Sequence, residues 1–295
     1  MTAEIISGKE IAEQIREELK KEIAEFKASK NVTPGLAVIL VGEDPASQVY
    51  VGQKSKGCDE VGIIEETIRM PADTKEDVLL NKIDELNNDP KWHGILVQLP
   101  LPKHIDEKKV INKIAVDKDV DGFHPISVGK LMIGEEGFLP CTPHGCQEML
   151  MRSGNDPAGK HVVIVGRSNI VGKPMANILI QKKNGANATV TVCHTGTRNM
   201  AEFTRQADII IAAAGRPNTI TADMVKEGVV VIDVGVNRVD APETKRGFKL
   251  VGDVDFEAVK EKAKAISPVP GGVGPMTVTM LLVNTFESAK RHAGA

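Results

Sequence analysis

The chain has 295 residues, 41% of them apolar, and a formal charge of −3 from 37 basic and 40 acidic residues mixed along its length. Such a chain can bury a substantial core and is expected to divide into two domains; with no basic tract and only one Trp and one Tyr, it is not expected to bind nucleic acid. No apolar run approaches the roughly 20 residues that cross a bilayer, and the opening MTAEIISGKE lacks the charged-then-apolar order of a signal peptide, so a cytoplasmic protein without a membrane partner is expected.

Ser7 is placed to cap a helix in which Ile11, Ile15, Leu19, Ile23 and Phe26 recur at helical spacing. After Pro34 and Gly35, the run LAVILVG at 36–42 is a buried strand. Asp44 as N-cap and Pro45 at N1 then start a helix to about Glu60. Ser47, Tyr50 and Lys54 are spaced to share one face of that helix, near the strand's carboxyl end, where open α/β sheets bind ligands. Strands at 62–70 and 94–99 flank a helix at 74–88, so the sheet is parallel. Gln98 ends the last of these strands. Its amide either faces the same crevice as Tyr50 and Lys54 or merely satisfies loop backbone. The acidic segment DKDVDGFHP at 117–125 has a solvated loop as its default reading, yet Asp121 precedes a flexible glycine near the join between halves. A carboxylate there would match a flat edge with two N–H donors, such as the aminopyrimidinone edge of a pterin.

The boundary between domains is expected near residue 140, where Thr142 and Pro143 repeat the N-cap and N1 pattern for a helix to about Arg152. The stretch VVIVGRSNIVGKPM at 162–175 reads as buried strand, glycine turn and helix, the helix running from Gly172 to Lys182. Such a turn aims N–H groups and a helix dipole at a phosphate. The spacing is G-x-S-x-x-x-G, so the usual fingerprint is broken at its middle position, and an ordinary strand-to-helix connection is the alternative. A strand at 188–193 ends in Cys193, His194, Thr195, Gly196, Thr197 and Arg198. No acid stands where an NAD-binding fold would place one for the ribose 2′-OH, whereas Arg167 and a hydroxyl such as Thr195 would hold a 2′-phosphate, which favours NADP. Strands at 208–214 and 229–236 end in glycine-containing turns that would form the other walls of a dinucleotide crevice. After Asp253 and a short helix comes SPVPGGVGPMTVTM, a stiffly bent loop leading into a last helix expected to return to the first domain. Cys58, Cys141, Cys146 and Cys193 form no C-x-x-C pair, so neither a zinc site nor a disulfide framework is expected.

With these residues laid out, the chain resembles the bifunctional methylenetetrahydrofolate dehydrogenase/cyclohydrolase family, the FolD-type enzymes of folate one-carbon metabolism. The resemblance rests on PASQVYVGQKSKGC at 45–58, QLPLP at 98–102, DVDGFHP at 119–125, PCTPHGC at 140–146, VGRSNIVGKP at 165–174 and PVPGGVGPMT at 268–277. It implies two α/β domains with a cleft between them: a folate-binding catalytic domain of residues 1–139 plus 276–295, and a Rossmann-like NADP-binding domain of residues 140–275. It also implies a homodimer with no metal. Carried over residue by residue, the catalytic lysine falls on Lys54, the folate-stacking tyrosine on Tyr50, the glutamine that supports the lysine on Gln98, and the pterin-binding aspartate on Asp121. Ser47, Leu99, Pro270 and Gly271 fall on further substrate positions. Thr142, Gly166, Arg167, Ser168, Ile170, Gly172, His194, Thr195 and Val236 fall on cofactor positions. The chain departs from the family at His144, where relatives often carry lysine, and at HTGTR, residues 194–198, where many have HSRT or HSKT.

The activity implied is NADP-dependent oxidation of 5,10-methylenetetrahydrofolate to the methenyl cation, followed by hydrolysis to 10-formyltetrahydrofolate. A monofunctional dehydrogenase, with NAD as its cofactor, is the alternative. A 2-hydroxyacid dehydrogenase would need a histidine paired with a carboxylate and an arginine for its substrate, a set not found in the first half. A non-catalytic nucleotide-binding regulator would have no use for Lys54, Gln98 and Asp121.

Overall fold

A computed structural model of the protein describes residues 2–244 and 247–294. The described chain divides into two compact units, one of residues 13–141 and 278–295 and the other of residues 1–12 and 142–277. The helical period at Ile11 to Phe26 becomes α1 (Gly8–Lys30), with Ser7 Oγ accepting the N–H of Glu10 at 3.3 Å.

In the first unit, β2 (Gly35–Val41), β3 (Ile64–Met70) and β4 (Gly94–Val97) form a parallel sheet in the order β3-β2-β4. Every residue of β2 is buried, which fits a central strand covered on both faces. Its aliphatic side chains join Leu79, Ile83 and Leu86 of α3 (Glu76–Asn88) in one core, each worth about 1.5–3 kcal/mol when fully buried. Helix α2 (Pro45–Val61) starts as its sequence requires: Asp44 accepts the N–H of Ser47 at 2.8 Å, Pro45 follows, and Gly62 ends it at φ 86°. The last helix, α10 (Val273–His292), sends its C-terminal part into this unit. There Leu282 packs where a side chain on Gly57 would lie, and Phe286 meets Phe26 edge to face.

The segment 117–125 differs from its default reading. Lys118, Asp119 and Val120 are buried rather than solvated, and His124 caps a further helix, α5 (Pro125–Ile133). The short α4 (Glu107–Lys113) precedes it.

The second unit is built on a six-stranded sheet. Its strands are β1 (Glu4–Ile5), β5 (His161–Val165), β6 (Thr189–Cys193), β7 (Ile209–Ala212), β8 (Val230–Asp233) and β11 (Ala265–Ile266), in the order β1-β11-β8-β7-β5-β6. All pairs are parallel. The order reverses between β5 and β7, the switch point at which a doubly wound sheet opens a crevice. A hairpin of β9 (Asn237–Asp240) and β10 (Phe248–Val251), unforeseen in the sequence, stands apart from this sheet. Residues 1–12, expected in the folate domain, cluster here instead, because β1 pairs with β11 and Lys9 donates its N–H to the carbonyl of Gly271.

Two helix limits also shift. Helix α6 (Cys141–Arg152) begins before Thr142, so that residue is not an N-cap; its hydroxyl meets that of Thr277 at 3.0 Å. Helix α7 (Gly172–Leu179) ends short of Lys182, and the short α8 (Met200–Thr204) and α9 (Phe256–Lys260) follow it in this unit.

Candidate active site

The buried stripe of α2 comprises Ser47, Val51, Lys54, Gly57, Cys58 and Val61, a helical spacing in which Lys54 is the single cation. Tyr50 lies at the margin of the stripe, 37% exposed, whereas Lys54 is 8% exposed. The Lys54 Nζ donates to Gln98 Oε1 at 2.8 Å, and Gln98 Nε2 donates to the carbonyl of Leu99 at 2.7 Å. Both readings of Gln98 therefore hold at once: one end of the amide satisfies loop backbone, and this orients the oxygen toward the amine. Because an amide oxygen only accepts, it can hold the amine protonated or neutral.

Asp121, half-buried, interacts electrostatically with Lys54 and with the Cys141 thiol, which donates to the carbonyl of Val120 at 3.4 Å. Burial dominates for each of the three. It lowers the pKa of the Lys54 amine against the opposing pull of Asp121, and it raises those of the Asp121 carboxyl and the Cys141 thiol. An amine and a carboxyl each pushed toward its neutral form can exchange protons with little driving force, which suits acid–base work.

Asp119 supplies the frame for Asp121. Its buried carboxylate accepts the N–H of Phe123 at 3.2 Å, the N–H of His124 at 2.9 Å and the hydroxyl of Ser127 at 2.8 Å. Burial raises its pKa to about 6 despite these bonds. Reading the acidic run as a loop missed this residue; its signal was the alternation of Asp119, Val120 and Asp121 before a Gly. Pro270 and Gly271 fall in the other unit, in the bend before α10.

In the second unit the glycine turn follows β5. Gly166 has φ 133°, and a Cβ there would lie 2.0 Å from the carbonyl oxygen of Ala213, so the turn presses directly on the end of β7. The serine that breaks the fingerprint serves the turn itself: Ser168 Oγ accepts the N–H groups of Val171 at 3.1 Å and Gly172 at 3.4 Å. Arg167 and Ile170 are exposed on the turn, and Gly172 is buried at the start of α7. At the end of β6, His194 donates its N–H to Thr197 Oγ1 at 2.9 Å, and Gly196 donates its N–H to His194 Nδ1 at 3.0 Å. This closes a tight turn with Thr195 exposed at its tip. Val236 is exposed after β8. His144, in the first turn of α6, keeps a buried Nδ1 with no hydrogen-bond partner among the described residues. All four cysteines are free and buried.

Residues 6–121 match the family model for the tetrahydrofolate dehydrogenase/cyclohydrolase catalytic domain, and residues 140–293 that for the NAD(P)-binding domain. The chain belongs to this family. It is 61% identical to the bifunctional protein FolD of Syntrophus aciditrophicus, with 100% of both chains covered. Among solved structures, it is similar to the bifunctional FolD enzyme of Campylobacter jejuni, with TM-score 0.91, 51% identity, and 97% and 98% of the two chains covered. It is also similar to the Trypanosoma brucei dehydrogenase-cyclohydrolase complexed with NADP and an inhibitor, with TM-score 0.94, 39% identity and 100% of both chains covered. The α/β fold with a Rossmann-like dinucleotide-binding domain is thus the fold of this family. No helix among the described residues is long and apolar enough to cross a membrane.

Proposed function

We propose that this chain oxidises 5,10-methylenetetrahydrofolate with NADP and hydrolyses the resulting 5,10-methenyl cation to 10-formyltetrahydrofolate. The observation that carries the reading is the buried Lys54 amine held by Gln98 and opposed by Asp121, on a chain similar over its full length to bifunctional enzymes. The family resemblance further favours a cytoplasmic homodimer.

The second unit fits a dinucleotide phosphate. The close approach of Gly166 to β7 leaves no room for a side chain, Arg167 and Thr195 stand exposed near the sheet's carboxyl edge, and residues 193–198 include no carboxylate to repel a 2′-phosphate. In this reading Gly166, Arg167, Ser168, Ile170, Gly172, His194, Thr195 and Val236 line the cofactor site, with Thr142 beside it. When bound, the cofactor supplies the acceptor for the hydride lost from the methylene carbon. That loss needs no general base, because the neighbouring nitrogen lone pair stabilises the cation left behind; the protein's task is to hold and orient.

Hydrolysis is where Lys54 acts. Water adds to the methenyl carbon as one of its protons is taken up; the bond from that carbon to N5 then breaks as N5 is protonated, and the remaining hydroxyl proton is released to solvent as the formyl C=O forms. A neutral Lys54 amine takes the first proton and can return one to the leaving nitrogen, and burial, by lowering its pKa, favours that neutral form. Gln98 fixes the amine, Tyr50 offers its ring face to the folate, and Asp121 accepts from the pterin edge. Ser47 and Leu99 add substrate contacts in the same unit, and the family resemblance assigns Pro270 and Gly271 to substrate as well.

The test is a paired spectrophotometric assay: methenyl formation from methylenetetrahydrofolate with NADP or NAD, and decay of supplied methenyltetrahydrofolate corrected for its spontaneous hydrolysis. Both activities, with NADP preferred, are expected. Methenyl that accumulates without enzymatic decay would establish the monofunctional alternative, and absence of both activities would reject the reading.

A further inference from the structure

Two buried carboxylates of the second unit have no part in the proposed chemistry: Asp233, ending β8, and Asp253, just after β10. Asp253 is fully buried, and its side-chain bonds reach the turn after β7 and the start of β9. Its Oδ2 accepts the N–H groups of Ala214 at 2.6 Å and Gly215 at 2.8 Å, in the turn after β7. Its Oδ1 accepts from Asn237 Nδ2 at 2.9 Å, at the start of β9. Its main-chain carbonyl takes the N–H groups of Thr219 at 2.7 Å and Ile220 at 3.1 Å. Its own N–H goes to Asp233 Oδ1 at 2.9 Å, and Asp233 also takes the N–H groups of Gly235 and Val254, both at 3.0 Å.

These bonds bear directly on the proposed cofactor turn. Ala213, whose successor Ala214 is held by Asp253, presents the carbonyl on which Gly166 rests and donates its N–H to Val165 at 2.8 Å. On the other side, Val236 lies between Gly235 and Asn237, and a Cβ on Gly235 would fall 2.2 Å from Asp253 Oδ1. One side chain therefore fixes the backbone of the turn after β7, on which the Gly166 turn rests, and ties it through the Asn237 side-chain amide to the start of β9.

We propose that Asp253 is a positioning residue for dinucleotide binding: its carboxylate, hydrogen-bonded to the Ala214 and Gly215 N–H groups and to the Asn237 amide, holds the turn after β7 in the shape against which the Gly166 turn closes and anchors it to the start of β9. The inference rests on the proposed dehydrogenase/cyclohydrolase reading for its assays, but its primary readout is binding. A carboxylate accepts at both oxygens, whereas an amide must turn its NH2 toward one set of donors, so Asp253→Asn breaks one side of this link while keeping the shape of the side chain.

The test uses the full chain and measures three quantities for wild type and Asp253→Asn: NADP affinity by calorimetry, hydrolysis of methenyltetrahydrofolate without dinucleotide, and the melting temperature without ligand. NADP affinity is expected to fall by about tenfold or more, the scale of a lost hydrogen bond to a charged group. Cofactor-free hydrolysis, which uses Lys54, is expected to stay near wild type, a split that general destabilisation would not produce. Asn237→Ala, which removes one donor and leaves the carboxylate, should weaken NADP in the same direction by a smaller factor, and it serves if Asp253→Asn does not fold. NADP affinity within about twofold of wild type in the variant that folds would overturn the proposal, as would parallel loss of hydrolysis and binding. If wild type hydrolyses no methenyltetrahydrofolate, the proposed function fails, and the NADP affinities and melting temperatures alone decide the role of Asp253.

Discussion

Around Lys54 the proposed site is made of side chains whose charge is set by burial, whereas around Gly166 it is made of main chain whose shape is set by the lack of a side chain. In the first case the informative atoms are an amine, an amide and a carboxyl, and the amine and carboxyl are pushed toward neutrality. In the second they are a glycine pressed on a carbonyl and a serine closing its own turn. Proton transfer and dinucleotide binding should therefore respond to different substitutions, and four variants probe that separation.

The largest effect is expected from Lys54→Met, which keeps the apolar stem but removes the proton-transfer group. Methenyltetrahydrofolate hydrolysis should drop about 100-fold or more, the usual scale for loss of a general acid or base, while NADP affinity stays put. Wild-type hydrolysis in this variant would remove Lys54 from the mechanism.

Gln98→Glu sharpens the comparison by changing charge without changing shape. A carboxylate facing Lys54 favours the charged amine and should move the acid limb of the hydrolysis pH profile to higher pH by about one to three units. An unmoved limb would mean that Lys54 is not the group titrating.

On the main-chain side, Arg167→Ala should weaken NADP by roughly 1.5–3 kcal/mol and NAD much less, if the guanidinium reads the 2′-phosphate. Equal losses for the two cofactors would reject that assignment. Hydrolysis without cofactor should not change.

The smallest effect concerns stability. The pKa of Asp119 rises on folding from 3.8 to about 6, so the folded state favours its protonated form. Its stabilising contribution is fully present below the unfolded value and is lost as pH rises through about 6. Relative to Asp119→Asn, wild type should therefore lose roughly 1–3 kcal/mol between pH 4 and 6. Urea unfolding of both proteins across that range reads the difference directly; a flat difference would show that burial does not control this carboxyl.

The elements whose causes are local could be read from the residues alone. The β2 run, the Asp44-Pro45 start and Gly62 end of α2, and the strand-turn-helix at 161–179 all follow from periodicity and capping, which act within a few residues. Lys54, Tyr50 and Gln98 were legible as candidates because helix spacing and a strand end already place them. Only the tertiary structure decided what depends on partners distant in sequence. A two-residue strand at Glu4–Ile5 has no signal of its own and exists because β11 pairs with it. Asp119 reads as part of an acidic loop and Asp253 carries no reading of its own, and their roles appear only once the N–H groups they collect are brought around them. The physical reason is the same in each case: a buried carboxylate or a short strand is stable only when its hydrogen bonds are met, and those partners are assembled by the fold rather than by neighbouring residues.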